Sequence, residues 1–300
     1  MTLPVAKSRY SVGFSLIEIA IVLVIVGLLA TFALGLTSQV LNKQRRDTTI
    51  ARLALIDSAI SLYVAQNKYL PCPAIGTLDG TAATPDARLG REQPNSLRAG
   101  CNLTNQQSGI LPWIDLGMAL ADTQDGWGNM FTYRVEESLV RSGSMDFTMC
   151  TPAGSNLTAV GTTPNLTCAT CTTATFPGSC NAPGIVTAGR GLRVKSVSGA
   201  TIANPGASPS TGAAYVVISH GENQAGSYLY TGVINAGIIA SGTQEQNNHA
   251  NGSYPANSPT AYLVDDVANY GATTVHFDDY VLRPTIIGLA SKAQLGPRAY

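Results

Sequence analysis

Residues 14–41 read FSLIEIAIVLVIVGLLATFALGLTSQVL, and this stretch decides the architecture. Of its 28 residues, 20 are apolar, and no charge falls between Glu18 and Lys43. At about 1.5 Å of rise per residue, residues 14–36 reach roughly 35 Å as a helix, enough for a hydrocarbon core of about 30 Å. A membrane span over 14–36 follows. Lys7 and Arg9 precede it and Lys43, Arg45, Arg46 and Arg52 follow it, so loop charge alone does not fix its orientation. Glu18 is the exception inside the run. A lone carboxylate in a span costs about 2.5–3.5 kcal/mol on insertion scales and so needs a partner. Cleavage after Gly13 would supply one: the new amine of Phe14, with an ordinary pKa of about 8, would lie four residues away. A secretory signal peptide fits less well, because the run is long and lacks a small-x-small cleavage site.

The segment Gly13-Phe14-Ser15-Leu16-Ile17-Glu18, after a short basic leader and before a long apolar run, resembles the processing motif of type IV pilins and of the pseudopilins of type II secretion systems. The resemblance implies a prepilin peptidase that cuts after Gly13 and methylates Phe14. It also implies a bacterial inner-membrane protein with its head in the periplasm, docked by Glu18 into a helical filament. The implied partners are other pilin or pseudopilin subunits and the inner-membrane assembly platform. Where the family often carries a helix-kinking proline, this chain has Gly27 followed by Gly35.

Beyond the span, Ile50, Leu53, Ala54, Ile56, Ile60, Tyr63 and Val64 recur at spacings of three and four, with polar residues between them. This pattern extends the helix as an amphipathic half over 37–66, ended by Asn67 and Pro71-Cys72-Pro73. The expected organisation is a leader over 1–13, a helix over 14–66 and a head over 67–300. In the head, strand candidates are 131–135, 145–150, 192–197, 214–219, 228–233 and 275–282, separated by turn signals such as Asp125-Gly126 and Asn204-Pro205-Gly206. An α+β fold results, with the helix packed on an antiparallel sheet. Long loops are expected over 151–183 and 241–259.

Fainter elements extend the resemblance. Tyr69-Leu70-Pro71, Leu111-Pro112-Trp113 and Asp125-Gly126-Trp127-Gly128-Asn129 are similar to elements of major-pseudopilin-like proteins, and Ser219-His220-Gly221-Glu222-Asn223 and Phe277-Asp278-Asp279 look like paired elements of such chains. In those relatives the corresponding loop and aspartates help form a calcium site. The resemblance therefore implies structural calcium near Glu222, Asn223, Asp278 and Asp279, although His220 and Gln224 are poor calcium ligands.

All six cysteines, Cys72, Cys101, Cys150, Cys168, Cys171 and Cys180, follow the span, as expected for disulfides in an oxidising compartment. Cys72 with Cys101 is the preferred pair, because both bracket the Pro/Gly-rich loop after the helix; the other four would staple 150–183. Cys168-x-x-Cys171 lies among Thr, Ala and Asn rather than at a helix start, which argues against redox or zinc chemistry.

The 300 residues hold 18 Lys+Arg and 18 Asp+Glu, and a pI near 6.8 argues against general nucleic-acid binding. The balance is uneven, +3 over 1–66 and −3 over 67–300. No G-x-S-x-G, H-E-x-x-H or phosphate-binding loop occurs, and His220, His249 and His276 have no catalytic spacing, so no enzyme is expected. The expected function is a structural filament subunit, a minor pilin or a pseudopilin. The alternatives are a filament-tip adhesion module using 151–183 and 241–259, and, less favoured, a membrane-anchored periplasmic enzyme.

Overall fold

The computed structural model of the chain describes residues 15–98, 100–102, 109–142, 144–145, 190–207, 210–236, 244–250, 261–268 and 276–295. One helix dominates. Helix α1, Leu16–Asn67, runs for 52 residues, and its Gln39–Asn67 portion is long and apolar enough to cross a membrane. Its start is a capping box: the Ser15 N–H donates to Glu18 Oε2 at 2.9 Å and the Glu18 N–H to Ser15 Oγ at 3.4 Å. Its end is set by Lys68, whose φ of 63° lets its N–H reach the Val64 carbonyl at 2.9 Å, while the Asn67 amide donates to the Tyr63 carbonyl.

The chain divides into two compact units, Met1–Arg46 and Asp47–Tyr300, with the boundary inside α1. In the first unit, every residue from Leu16 to Leu29 is exposed, Leu16 by 87% and Val24 by 63%. The apolar window of span length among the described residues falls within Gln39–Asn67, and 39% of it is buried; Leu16–Leu29 is a shorter apolar stretch. A core helix of a soluble protein passes the same test of length and composition, whereas the 16–29 stretch is exposed throughout.

In the second unit, α1 buries Leu53, Ile56, Ile60 and Val64, one stripe at spacings of three and four. Each such side chain contributes about 1.5–3 kcal/mol relative to exposure. The stripe lies in one core with Phe131, Tyr133 and Val135, with Tyr215 and Val217, and with Ile286 and Leu289. Its floor is an antiparallel sheet of β1 (Gly109–Ile110), β2 (Thr132–Val135), β5 (Tyr215–Ser219) and β7 (Tyr280–Leu282), in the order β1-β2-β5-β7. Thr132 pairs with Ile218, and Val217 with Leu282. All five residues of β5 are buried, because its other face, Val216 and Ile218, packs on Leu192, Val194 and Leu263. Those residues belong to or adjoin a small sheet ordered β4-β3-β6, made of β3 (Val194–Lys195), β4 (Thr201–Ala203) and β6 (Leu263–Val264). It is mixed: β3 is antiparallel to β4 and parallel to β6.

A short helix, α2 (Ile286–Lys292), capped by Thr285 Oγ1 accepting from the Gly288 N–H, closes the core. Lys292 Nζ meets Asp57 Oδ2 at 2.5 Å, and the Tyr215 hydroxyl donates to Asp57 Oδ1 at 2.5 Å, so one carboxylate joins α1, α2 and β5. Cys72 and Cys101 form a disulfide. Beside it, Glu92 accepts from the Tyr63 hydroxyl at 3.0 Å and the Cys72 N–H at 3.1 Å, and pairs with Arg98.

Several details differ from the sequence expectation. Ile50 and Ala54 are exposed, because the buried stripe follows Leu53, Ile56, Ile60 and Val64 and leaves them on other faces. Residues 228–233 are not a strand: Gly232 takes a φ of 76° and its N–H bonds back to the Leu229 carbonyl, turning the chain after Tyr228. The strand expected over 275–282 narrows to Tyr280–Leu282. Residues 146–150, the loop 151–183, Cys150, Cys168, Cys171 and Cys180 lie outside the described residues, as do Gly13 and Phe14.

Candidate functional site

The Asp125–Asn129 element forms a clasp that fixes α1 to the sheet. The Asp125 carboxylate accepts from the N–H groups of Trp127 and Asn129 at 2.9 and 3.0 Å, folding the turn on itself. Its other oxygen accepts from the Ser219 hydroxyl at the end of β5 at 2.7 Å. From the helix, Thr49 Oγ1 accepts from the Gly126 N–H at 2.9 Å, and Arg52 donates to the carbonyls of Gln124 and Asp125 at 2.9 and 3.2 Å. Burial pushes the Asp125 carboxyl up, against the pull of these hydrogen bonds. The Asp125 carboxylate is taken up by this clasp, while the Trp127 indole N–H and the Asn129 side-chain amide nitrogen are buried beside it without a hydrogen-bond partner among the described residues.

Next to it, past Ser219, lies a group of buried ionisable side chains. The turn after β5 brings Gly221 against the Asp278 backbone, and a Cβ at Gly221 would lie 2.2 Å from the Asp278 carbonyl oxygen. Its φ of 57° also favours glycine. This close approach lets the Asn223 N–H donate to Asp278 Oδ2 at 2.8 Å. The Asn223 amide nitrogen lies 3.2 Å from each Glu245 carboxylate oxygen, and the Asp278 N–H donates to Glu245 Oε1 at 3.4 Å. Glu245 comes from the 3-10 turn Gln244–Asn248. From the same turn, the Asn248 amide donates to Asp279 Oδ2 at 2.7 Å while its oxygen accepts from the Val264 N–H at 2.8 Å. The paired elements 219–223 and 277–279 therefore meet.

Glu245, Asp278 and Asp279 are all buried, at 1%, 1% and 5% exposure. Burial first, then the adjacent Asp278, pushes the Glu245 carboxyl up to about 7. Burial and then Glu245 also raise Asp279 well above the ordinary carboxylate range. Two histidines flank the group. His276 Nε2 is 3.4 Å from Asp278 Oδ1, and His220 Nδ1 is 4.0 Å from Asp279 Oδ1. His220 is fully buried with Nε2 at 2.8 Å from Thr132 Oγ1; burial, His249 and Arg134 push it down to about 3, so its imidazole is neutral at pH 7.

Comparison with family models, with curated proteins and with solved structures returned no match to the chain. The site is therefore read from its own chemistry. Of the four residues in the calcium expectation, Asn223, Asp278 and Asp279 come together and Glu222 is exposed. The Asn223 side-chain oxygen is occupied by the Ala225 N–H at 2.9 Å, so this residue orients neighbours instead of offering a free oxygen. Sequence reasoning missed Glu245 and His276. The dipeptide Glu245-Gln246 sits in a Gln/Asn-rich loop with no periodicity, and its only signal was a lone carboxylate there. Glu18 is exposed and engaged in its own helix cap.

Proposed function

We propose that this chain is a type IV pilin-like structural subunit, a minor pilin or a pseudopilin, held in the bacterial inner membrane with its head in the periplasm until its N-terminal helix enters a filament. A prepilin peptidase cuts after Gly13 and methylates Phe14, and other subunits take up the apolar half of the helix on the assembly platform. The observation that carries this reading is α1 itself. One continuous helix has a fully exposed apolar stretch from Leu16 to Leu29, and its later turns bury Leu53, Ile56, Ile60 and Val64 against an antiparallel sheet. Left in water, the first stretch would be a large aggregation-prone surface. Packed against lipid, and then against copies of itself in an open, non-closing array, it is covered. Ile50, Leu55 and Leu62, exposed by 54%, 46% and 60%, extend that apolar character along the later turns.

The test is the mature N-terminus. The full chain, co-expressed with a prepilin peptidase and recovered from membranes, is expected to begin at N-methylated Phe14. Recovery of a chain that still begins at Met1, or one cut elsewhere by signal peptidase, would remove the basis for the assignment.

A further inference from the structure

We propose that Glu245, His276 and Asp278 form a site for a divalent transition metal of the zinc class, with Asn223 as its orienting neighbour. One ligand atom from each residue lies within 4.8 Å of the others, close enough for one ion to bridge them. His276 Nε2 and Asp278 Oδ1 are 3.4 Å apart, too far for a strong hydrogen bond. Two donors each about 2.1 Å from a tetrahedral ion are separated by roughly 3.4 Å, so these atoms already have the spacing of adjacent ligands.

A second observation points to a ligand at this place. Asp278 Oδ1 is buried, in a side chain only 1% exposed, and among the described residues it accepts no hydrogen bond. A buried carboxylate oxygen without a donor is costly, and it faces the imidazole and the Glu245 carboxylate. Its other oxygen is held by the Asn223 N–H at 2.8 Å, and the Asn223 amide also bonds Glu245. Fixing ligating carboxylates through an outer amide is how metal sites hold geometry. The His276 side chain is 27% exposed, which leaves an ion a way in from solvent. Calcium prefers six to eight oxygens, whereas this donor set is one imidazole and two carboxylates, which suits zinc. The inference does not depend on the filament reading.

The experiment uses the full chain in detergent, without a polyhistidine tag, stripped with EDTA and titrated with CoCl₂, ZnCl₂ or CaCl₂. One equivalent of Co²⁺ is expected to give visible ligand-field bands without thiolate charge transfer, which excludes the cysteines. Zn²⁺ should displace it and, at about 100-fold excess over its Kd, raise the melting temperature by roughly 5–10 °C. His276→Ala, a partly exposed position, should weaken Zn²⁺ binding by about tenfold or more. Asp278→Asn should do the same. The proposal is overturned if Zn²⁺ and Co²⁺ do not bind, if only Ca²⁺ stabilises, or if His276→Ala, shown to be folded by circular dichroism, binds Zn²⁺ as the parent does.

Discussion

The Ser15 N–H donates to Glu18 Oε2 at 2.9 Å, so the one carboxylate in the apolar half of α1 caps its own helix. A capping role and a docking role for Glu18 are separable by substitution. Glu18→Gln keeps a side-chain acceptor at the third helical position and removes the charge, whereas Ser15→Ala breaks the box and keeps the charge. If Glu18 docks by charge, Glu18→Gln abolishes filament incorporation while remaining in the membrane. Ser15→Ala then costs about 1 kcal/mol of helix-start stability yet still assembles. Incorporation assays on sheared filaments distinguish the two, and the reverse pattern would make Glu18 only a cap.

Acid should destabilise the head through His220. In the unfolded chain this histidine binds a proton below about pH 6.5. In the fold, burial beside His249 and Arg134 delays protonation to about pH 3. Between these values the unfolded state holds more protons, so stability falls as the pH falls through that window. At about 1.4 kcal/mol per pKa unit, going from pH 6.5 to 4.5 removes roughly 2–3 kcal/mol from this group alone. Chemical denaturation of the parent and of His220→Gln at the two pH values isolates the contribution. The variant's stability should change less with pH; parallel curves would contradict the assignment.

Reduction should loosen the segment after α1. Cys72 and Cys101 are 29 positions apart, and opening a loop of that length is expected to cost about 3–4 kcal/mol through the unfolded state. The Cys72→Ser/Cys101→Ser double variant is therefore expected to melt well below the parent, and a change under about 1 kcal/mol in denaturant would show that Glu92 with Arg98 and Tyr63 carries the segment instead.

The parts of the fold readable in the sequence are those with local, repeated signals. The stripe Leu53, Ile56, Ile60, Val64 has helical spacing, Asn67 and the prolines mark its end, and β2 and β5 are dense in β-branched and aromatic residues. The Cys72–Cys101 pairing was legible from the turn-rich loop that the two residues bracket. What escaped depends on contacts distant in sequence. Residues 194–195 pair in parallel with 263–264, two residues from each side, too few to leave a periodic trace. Glu245 acquires meaning only when the 3-10 turn carrying it meets Asp278, 33 positions away. The Ser15-x-x-Glu18 box was local and visible, but a carboxylate in an apolar run drew the reading toward a charge partner.

The ion pair between Asp57 and Lys292 joins positions 235 apart, and the central strand β5 pairs with β7 only when residues 280–282 are present. The core over the helical stripe is therefore completed only by residues far along the chain, Ile286 and Leu289 among them. A chain that stops short of α2 leaves open the part of this core that Ile286 and Leu289 fill, and offers that apolar surface to proteases and holdases.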